Sequence, residues 1–167
     1  LLPVLIENGH EVVCMVRDKH RFNLKPYAHG NVWAVEGDLT QTHTLDTLPR
    51  DIDAAYYLVH SMSMSGGDFS ETEKESAQNF VKYMDTTNAS QIIYLGGITN
   101  EQQLSKHLSS RKAVEDELRK GKVSVTALRA GIIVGSGSAS FEIIRDLVEK
   151  LPVMVAPKWL NTKCQPI

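Results

Sequence analysis

The sequence predicts a doubly wound parallel α/β sheet with helices on both faces, on three observations. Five short apolar runs rich in β-branched residues recur along the chain, each bounded by polar or turn-forming residues, as strands buried on both faces are. Between them lie segments of helical spacing or helix-forming composition. Strand and helix therefore alternate, and parallel neighbours require such long, right-handed connections. The 167 residues suit one domain. With 42% hydrophobic and 23% charged residues, the composition excludes a disordered chain, a collagen-like repeat and a coiled rod.

The opening LLPVLIENGH reads as the tail of a helix ending at Asn8-Gly9, where left-handed backbone costs least for Gly or Asn. A parallel sheet needs a first strand and a tight turn before that helix, so the chain reads as a fragment starting inside the first crossover. Strands are predicted at EVVCMV (11–16), NVWAVEG (31–37), AAYYLVH (54–60), QIIYLGG (91–97) and VSVTALRAGIIVG (123–135). Helices are predicted over 68–85, 101–120 and 140–150. SMSMSGGDF at 61–69 reads as a loop following a strand. Residues 1–150 form the predicted domain, and 151–167, with Pro152, Pro157 and Pro166, the start of an irregular region.

Eighteen basic and twenty acidic side chains leave a net charge of −2 without a basic stripe, which argues against nucleic acid as a partner. Cys14 and Cys164 lack disulfide-scaffold or metal-ligand spacing, so no metal is expected and the cytosol is the default compartment. No apolar run approaches the ~20 residues of a spanning helix, which argues against a membrane role. The sequon at Asn88-Ala-Ser90 reads as incidental.

In open parallel sheets ligands bind outside the carboxyl ends of the strands, so the residues there are the candidates for chemistry. The first end carries Arg17 and Asp18. A carboxylate there can accept hydrogen bonds from adenosine ribose hydroxyls, whereas a guanidinium offers a planar fork to a 2′-phosphate, and the pair leans towards a phosphorylated cofactor. The plain alternative is a solvated charge run with Lys19 and Arg21. At the second end Asp38 can hold an adenine amino group while Leu39 covers the ring, against the alternative of a helix cap. At the third, Val59, His60 and Ser61 stand where a ribose and pyrophosphate would pass; His60 is read as structural rather than acid-base.

The order of VRD, GDL, AYYLVHSM, YLGGI, SSRKAVE and LRAGIIVGSGS resembles the extended or atypical short-chain dehydrogenase/reductase superfamily, in its NmrA-like and nucleotide-sugar-epimerase-like NAD(P)-binding branches. The resemblance spans nearly the whole chain and implies a Rossmann-like domain that binds NADP or NAD. The superfamily's Gly-rich turn would lie upstream of Leu1.

Members carry Tyr-x-x-x-Lys on a helix, two groups placed on one face by their spacing. The matching stretch, HLSSRKAVE, puts His107 at the tyrosine position and Arg111 at the lysine position, with Glu115 in register. The resemblance thus implies His107 as proton donor or acceptor and Arg111 as holder of the nicotinamide ribose; imidazole is a competent general acid-base. The alternative for both is an ordinary exposed helix face. Gly96 and Gly97 replace the usual Ser or Thr at the preceding strand end, with Thr99 nearby. Gly96 and the segment from Gly131 through Ile132 and Ile133 to Val134 become the implied cofactor wall, with Ala130 in the proline place.

The leading reading is an NAD(P)-dependent oxidoreductase or epimerase acting on a small-molecule substrate, with self-association compatible with it. A second is a binding module that senses the cofactor without chemistry. A third is another Rossmann-like protein, such as a methyltransferase or flavodoxin-like domain.

Overall fold

A computed structural model describes residues 1–59, 69–98, 106–131, 133, 135 and 139–151. The elements run α1 (Leu2–Glu7), β1 (Val12–Val16), β2 (Val32–Glu36), β3 (Ala54–Tyr57), α2 (Phe69–Met84), β4 (Gln91–Gly97), α3 (Lys106–Leu118), β5 (Ser124–Ala130) and α4 (Ala139–Lys150), with short 3-10 turns at Lys19–Arg21, Lys25–Tyr27 and Thr42–Thr47. Every strand pair is parallel. All five expected strands are present; the fifth ends at Ala130, short of the expected Gly135.

The first helix closes as its sequence requires. Gly9 takes φ 79°. With that left-handed residue in place, the Gly9 amide donates to Ile6 O (2.9 Å) and the His10 amide to Leu5 O (3.1 Å), satisfying two carbonyls that the helix end would leave open. The chain then enters β1 directly.

The strands form two ladders rather than one continuous sheet. β1 pairs with β2, and β3, β4 and β5 pair in that order. The split falls where the doubly wound order has its central strand. One core nevertheless spans both ladders: Leu39, Leu45 and Leu48 after β2 cluster with Tyr57, Phe80, Tyr83, Ile92 and Tyr94, and Met15 and Val35 pack against them. Tyr57 meets Phe80 edge-on at 5.0 Å between ring centroids. A buried polar bond crosses between the two halves as well. Asn79 Nδ2 of α2 donates to Leu39 O at 2.8 Å.

Helices α2 and α3 pack against one another, and α3 packs on β4. Ala77, Phe80 and Met84 supply the α2 core face at helical spacing; Val114 and Leu118 do so for α3. Strands β3 to β5 are apolar on both faces, as a parallel sheet requires, but only one face is covered among the described residues. Ile92 and Tyr94 point into the core, whereas Tyr56 (39% exposed), Leu58 (55%) and Leu128 (53%) remain open on the outer face. Helices α2 and α3 both contribute to the core that receives Ile92 and Tyr94. The apolar stripe of α4, including Ile144, Leu147 and Val148, is likewise exposed.

Asn79→Ala would leave the buried Leu39 carbonyl without its donor. Its expected cost is about 1–3 kcal/mol of unfolding free energy, measured by urea denaturation; an unchanged midpoint would show that the bond does not join the two ladders.

Candidate functional site

Parallel pairing brings the carboxyl ends of neighbouring strands to a common edge. At the β1–β2 ladder, the Gly37 amide donates to Val16 O (2.9 Å), setting Arg17 and Asp18 beside Asp38. Asp18 Oδ1 accepts the His20 amide at 2.8 Å, so this carboxylate caps the following 3-10 turn. The Arg17 side chain is exposed and has no partner among the described residues. Of the two, the guanidinium is the group left free to meet an anion.

Asp38 Oδ1 accepts both the Thr40 amide (2.9 Å) and the Thr40 hydroxyl (2.8 Å), while the Asp38 amide donates to Thr44 Oγ1 (2.9 Å). These bonds fix the carboxylate in a tight polar turn and leave Oδ2 unengaged among the described residues. Leu39 directly follows Asp38 within this turn. Its side chain, 4% exposed, lies in the core cluster. Its polar neighbour Asp38 turns outward because the chain there still alternates as it leaves the strand.

The second group gathers on the other ladder. Val59 packs against the core just beyond β3. Gly96 pairs with Arg129, and Gly97 with Ala130, so the ends of β4 and β5 lie side by side. The Ile98 amide donates to Ala130 O at 3.3 Å, the last bond holding the two ends together. A Cβ at Gly97 would come within 2.7 Å of Leu108 Cδ2, so the Leu108 side chain of α3 packs directly over this glycine. Gly131 and Ile133 are exposed beyond β5. His60, Ser61, Thr99, Ile132 and Val134 lie outside the described residues.

His107 falls in the first turn of α3, and its side chain lies outside the described residues. Arg111, one turn further, is half-buried rather than freely exposed. Its guanidinium donates to Leu95 O and stacks over the Tyr94 ring, 5.2 Å from the centroid. Tyr94 OH in turn donates to Arg111 O at 3.0 Å. Burial pushes the Tyr94 phenol up to about 12, against the opposing pull of Arg111, so it stays protonated at neutral pH. Burial pushes the Tyr57 phenol up as well, and its ring packs against Phe80 and Tyr94.

Two charged residues of this region had no role in the sequence reading. Glu115, 6% exposed, accepts from Arg129 Nη2 (2.8 Å) and from Arg119 Nη2 (2.9 Å). Glu73 of α2, also buried, accepts from Ser110 Oγ of α3. The spacing of Arg111, Glu115 and Arg119 was the available signal for the first, whereas the pairing of Glu115 with Arg129 crosses between elements and has no local signature.

One strand-end edge thus carries the exposed Arg17 guanidinium beside the Asp18 and Asp38 carboxylates, and the other carries Gly96 and Gly97 beside the half-buried Arg111 guanidinium. Among the described residues no cluster of His, Cys, Asp and Glu could hold a metal ion, and no helix is long and apolar enough to cross a membrane.

Comparison with known proteins places the chain in a class. The model of the NAD(P)H-binding family matches residues 1–149, and the chain belongs to that family. It is therefore an NAD(P)-binding domain of Rossmann-like fold, which sets aside the methyltransferase and flavodoxin-like readings. No curated protein sequence matches it. Among solved structures it is similar to a nucleoside-diphosphate-sugar epimerase from Staphylococcus aureus (TM-score 0.67, 14% identity, covering 89% of this chain and 49% of that one). It is also similar to the Citrobacter sp. triphenylmethane reductase complexed with NADP(H) (TM-score 0.64, 17% identity, 89% and 50%). A third is the Bordetella bronchiseptica enzyme WbmH in complex with NAD+ (TM-score 0.63, 19% identity, 89% and 57%). The chain thus spans about half the length of these proteins, and at such identities the likeness is one of fold. The resemblance to atypical short-chain dehydrogenases/reductases drawn from the residues agrees with both findings.

Glu115 gives the site a pH signature. Its carboxyl is held below its ordinary value of 4.5, chiefly by the hydrogen bond from Arg129, with burial opposing. A depressed folded-state value stabilises the fold at pH above 4.5, and the benefit is lost as pH falls through the lower folded value. Glu115→Gln is expected to cost about 1 kcal/mol at neutral pH, given its half-exposed partners. The difference from the unmodified protein should shrink as the pH falls below 4.5 and through the depressed folded-state value. Urea denaturation across that range checks it; a pH-independent difference contradicts the assignment.

Proposed function

We propose that this chain is the cofactor-binding part of an NAD(P)-dependent oxidoreductase or epimerase of the atypical short-chain class, with NADP preferred. The observation that carries the preference is the division of labour after β1: the Asp18 carboxylate is engaged by the His20 amide, whereas Arg17 is exposed and without a partner among the described residues. In this reading Arg17 meets the 2′-phosphate through its planar fork. Asp38, braced by Thr40, receives the adenine amino group. Gly96 and the chain from Gly131 to Ile133 form the wall beside the nicotinamide. Arg111 donates to the nicotinamide ribose from its seat over Tyr94, and His107 carries the proton. When bound, the cofactor supplies the hydride step, and the protein supplies orientation and electrostatics. The substrate is a small molecule, and the setting is the cytosol, where free thiols such as Cys14 persist.

One observation favours a second reading, a non-catalytic NAD(P) sensor of the NmrA-like kind. The Arg111 guanidinium is already bonded to Leu95 O, and the strand end beside it offers Gly96 and Gly97 instead of a hydroxyl. Substrate turnover by the full-length protein that His107→Ala abolishes, with NADPH binding intact, decides for the enzyme. Retained binding without turnover of any carbonyl or sugar substrate decides for the sensor.

The cofactor preference has its own test. Arg17→Ala should weaken NADPH binding about tenfold, the equivalent of a lost charge-assisted bond, and change NADH binding by less than about twofold. Titration followed by the fluorescence of the reduced nicotinamide measures both. Equal effects on the two cofactors remove Arg17 from the phosphate site, and no binding of either at millimolar concentration overturns the dinucleotide reading itself.

A further inference from the structure

We infer that Glu115 is a positioning residue, which through Arg129 sets the end of β5 against the helix carrying His107 and Arg111 and so fixes the nicotinamide half of the site. This rests on the dinucleotide reading above and adds the device that keeps its two walls in register. Glu115 follows Arg111 by one helical turn, and its carboxylate is buried, 6% exposed. The intrahelical partner Arg119 reaches Oε1 through Nε (3.1 Å) and Nη2 (2.9 Å). Arg119 also donates through Nη1 to Val125 O near the start of β5 (3.1 Å). The second guanidinium comes from another element: Arg129 of β5 donates through Nη2 to Oε1 (2.8 Å) and through Nε to Oε2 (3.3 Å).

Both prongs of Arg129 meet both carboxylate oxygens, a geometry that fixes direction as well as distance. Arg129 stands opposite Gly96 in the ladder and directly precedes Ala130 and Gly131. Beyond it the pairing of β4 with β5 continues through Gly97 opposite Ala130 and the bond from Ile98 N–H to Ala130 O. The Arg129 side chain is 51% exposed, and pairs with a half-exposed partner add little to stability. Orientation of the strand end relative to α3 is therefore the larger consequence of the pair.

The test compares the reduced dinucleotide that the unmodified full-length protein binds more tightly with the matching adenosine half, adenosine 2′,5′-bisphosphate for NADPH or adenosine 5′-monophosphate for NADH. Glu115→Gln and Arg129→Gln should each weaken the dinucleotide about five- to tenfold and leave the adenosine half within about twofold. Arg119→Gln keeps the Glu115–Arg129 bridge and removes the Arg119 Nη1 bond to Val125 O near the start of β5, far from the strand end, and should leave both within about twofold. Arg129→Gln alters a half-exposed side chain and carries the test if Glu115→Gln fails to fold. Equal weakening of both probes, or none, overturns the positioning role and leaves the cofactor reading standing. An unmodified protein that binds neither probe overturns that reading, and this inference with it.

Discussion

Parallel strand pairing is the constraint on which this molecule depends. Because neighbouring strands run the same way, each ladder presents its carboxyl ends at a single edge, where the chain leaves regular structure and its polar groups become free for ligands. The register of β1 with β2 and the bond from Gly37 to Val16 bring Arg17, Asp18 and Asp38 together from segments about twenty residues apart. The register of β4 with β5 does the same for Gly96 and Gly131. Without that common direction, the same residues would be ordinary surface charges and loop glycines.

The helix that completes the site is held by polar contacts to an unusual degree. Val114 and Leu118 give α3 an apolar stripe, and polar contacts add to its attachment: Arg111 over Tyr94, Ser110 on Glu73, Glu117 with Gln78 and Lys74, and Glu115 between Arg119 and Arg129. Directional bonds of this type hold a helix at a defined rotation, which apolar packing alone does loosely. Arg111 illustrates the consequence. The same guanidinium that would face a ribose also supports β4 through Leu95 O, so its orientation is set before any ligand arrives. Preorganisation of that kind lowers the ordering cost of binding.

The order of elements, the parallel class, the end of the first helix at Gly9 and most strand limits were legible in the sequence, because each follows from local chemistry: apolar runs of strand length, helical spacing, and the left-handed backbone that glycine permits. The candidate strand-end residues were legible for the same reason, since a strand's carboxyl end is a local landmark. Their surroundings were decided by the tertiary fold. The burial of Leu39, the engagement of the Asp18 carboxylate, the seat of Arg111 on Tyr94 and the bridge from Glu115 to Arg129 all join residues whose proximity arises from backbone turning or from packing between elements. Periodicity records which way a side chain points along its own element, but which partner waits there depends on how separate elements are packed, and that is a property of the assembled core alone.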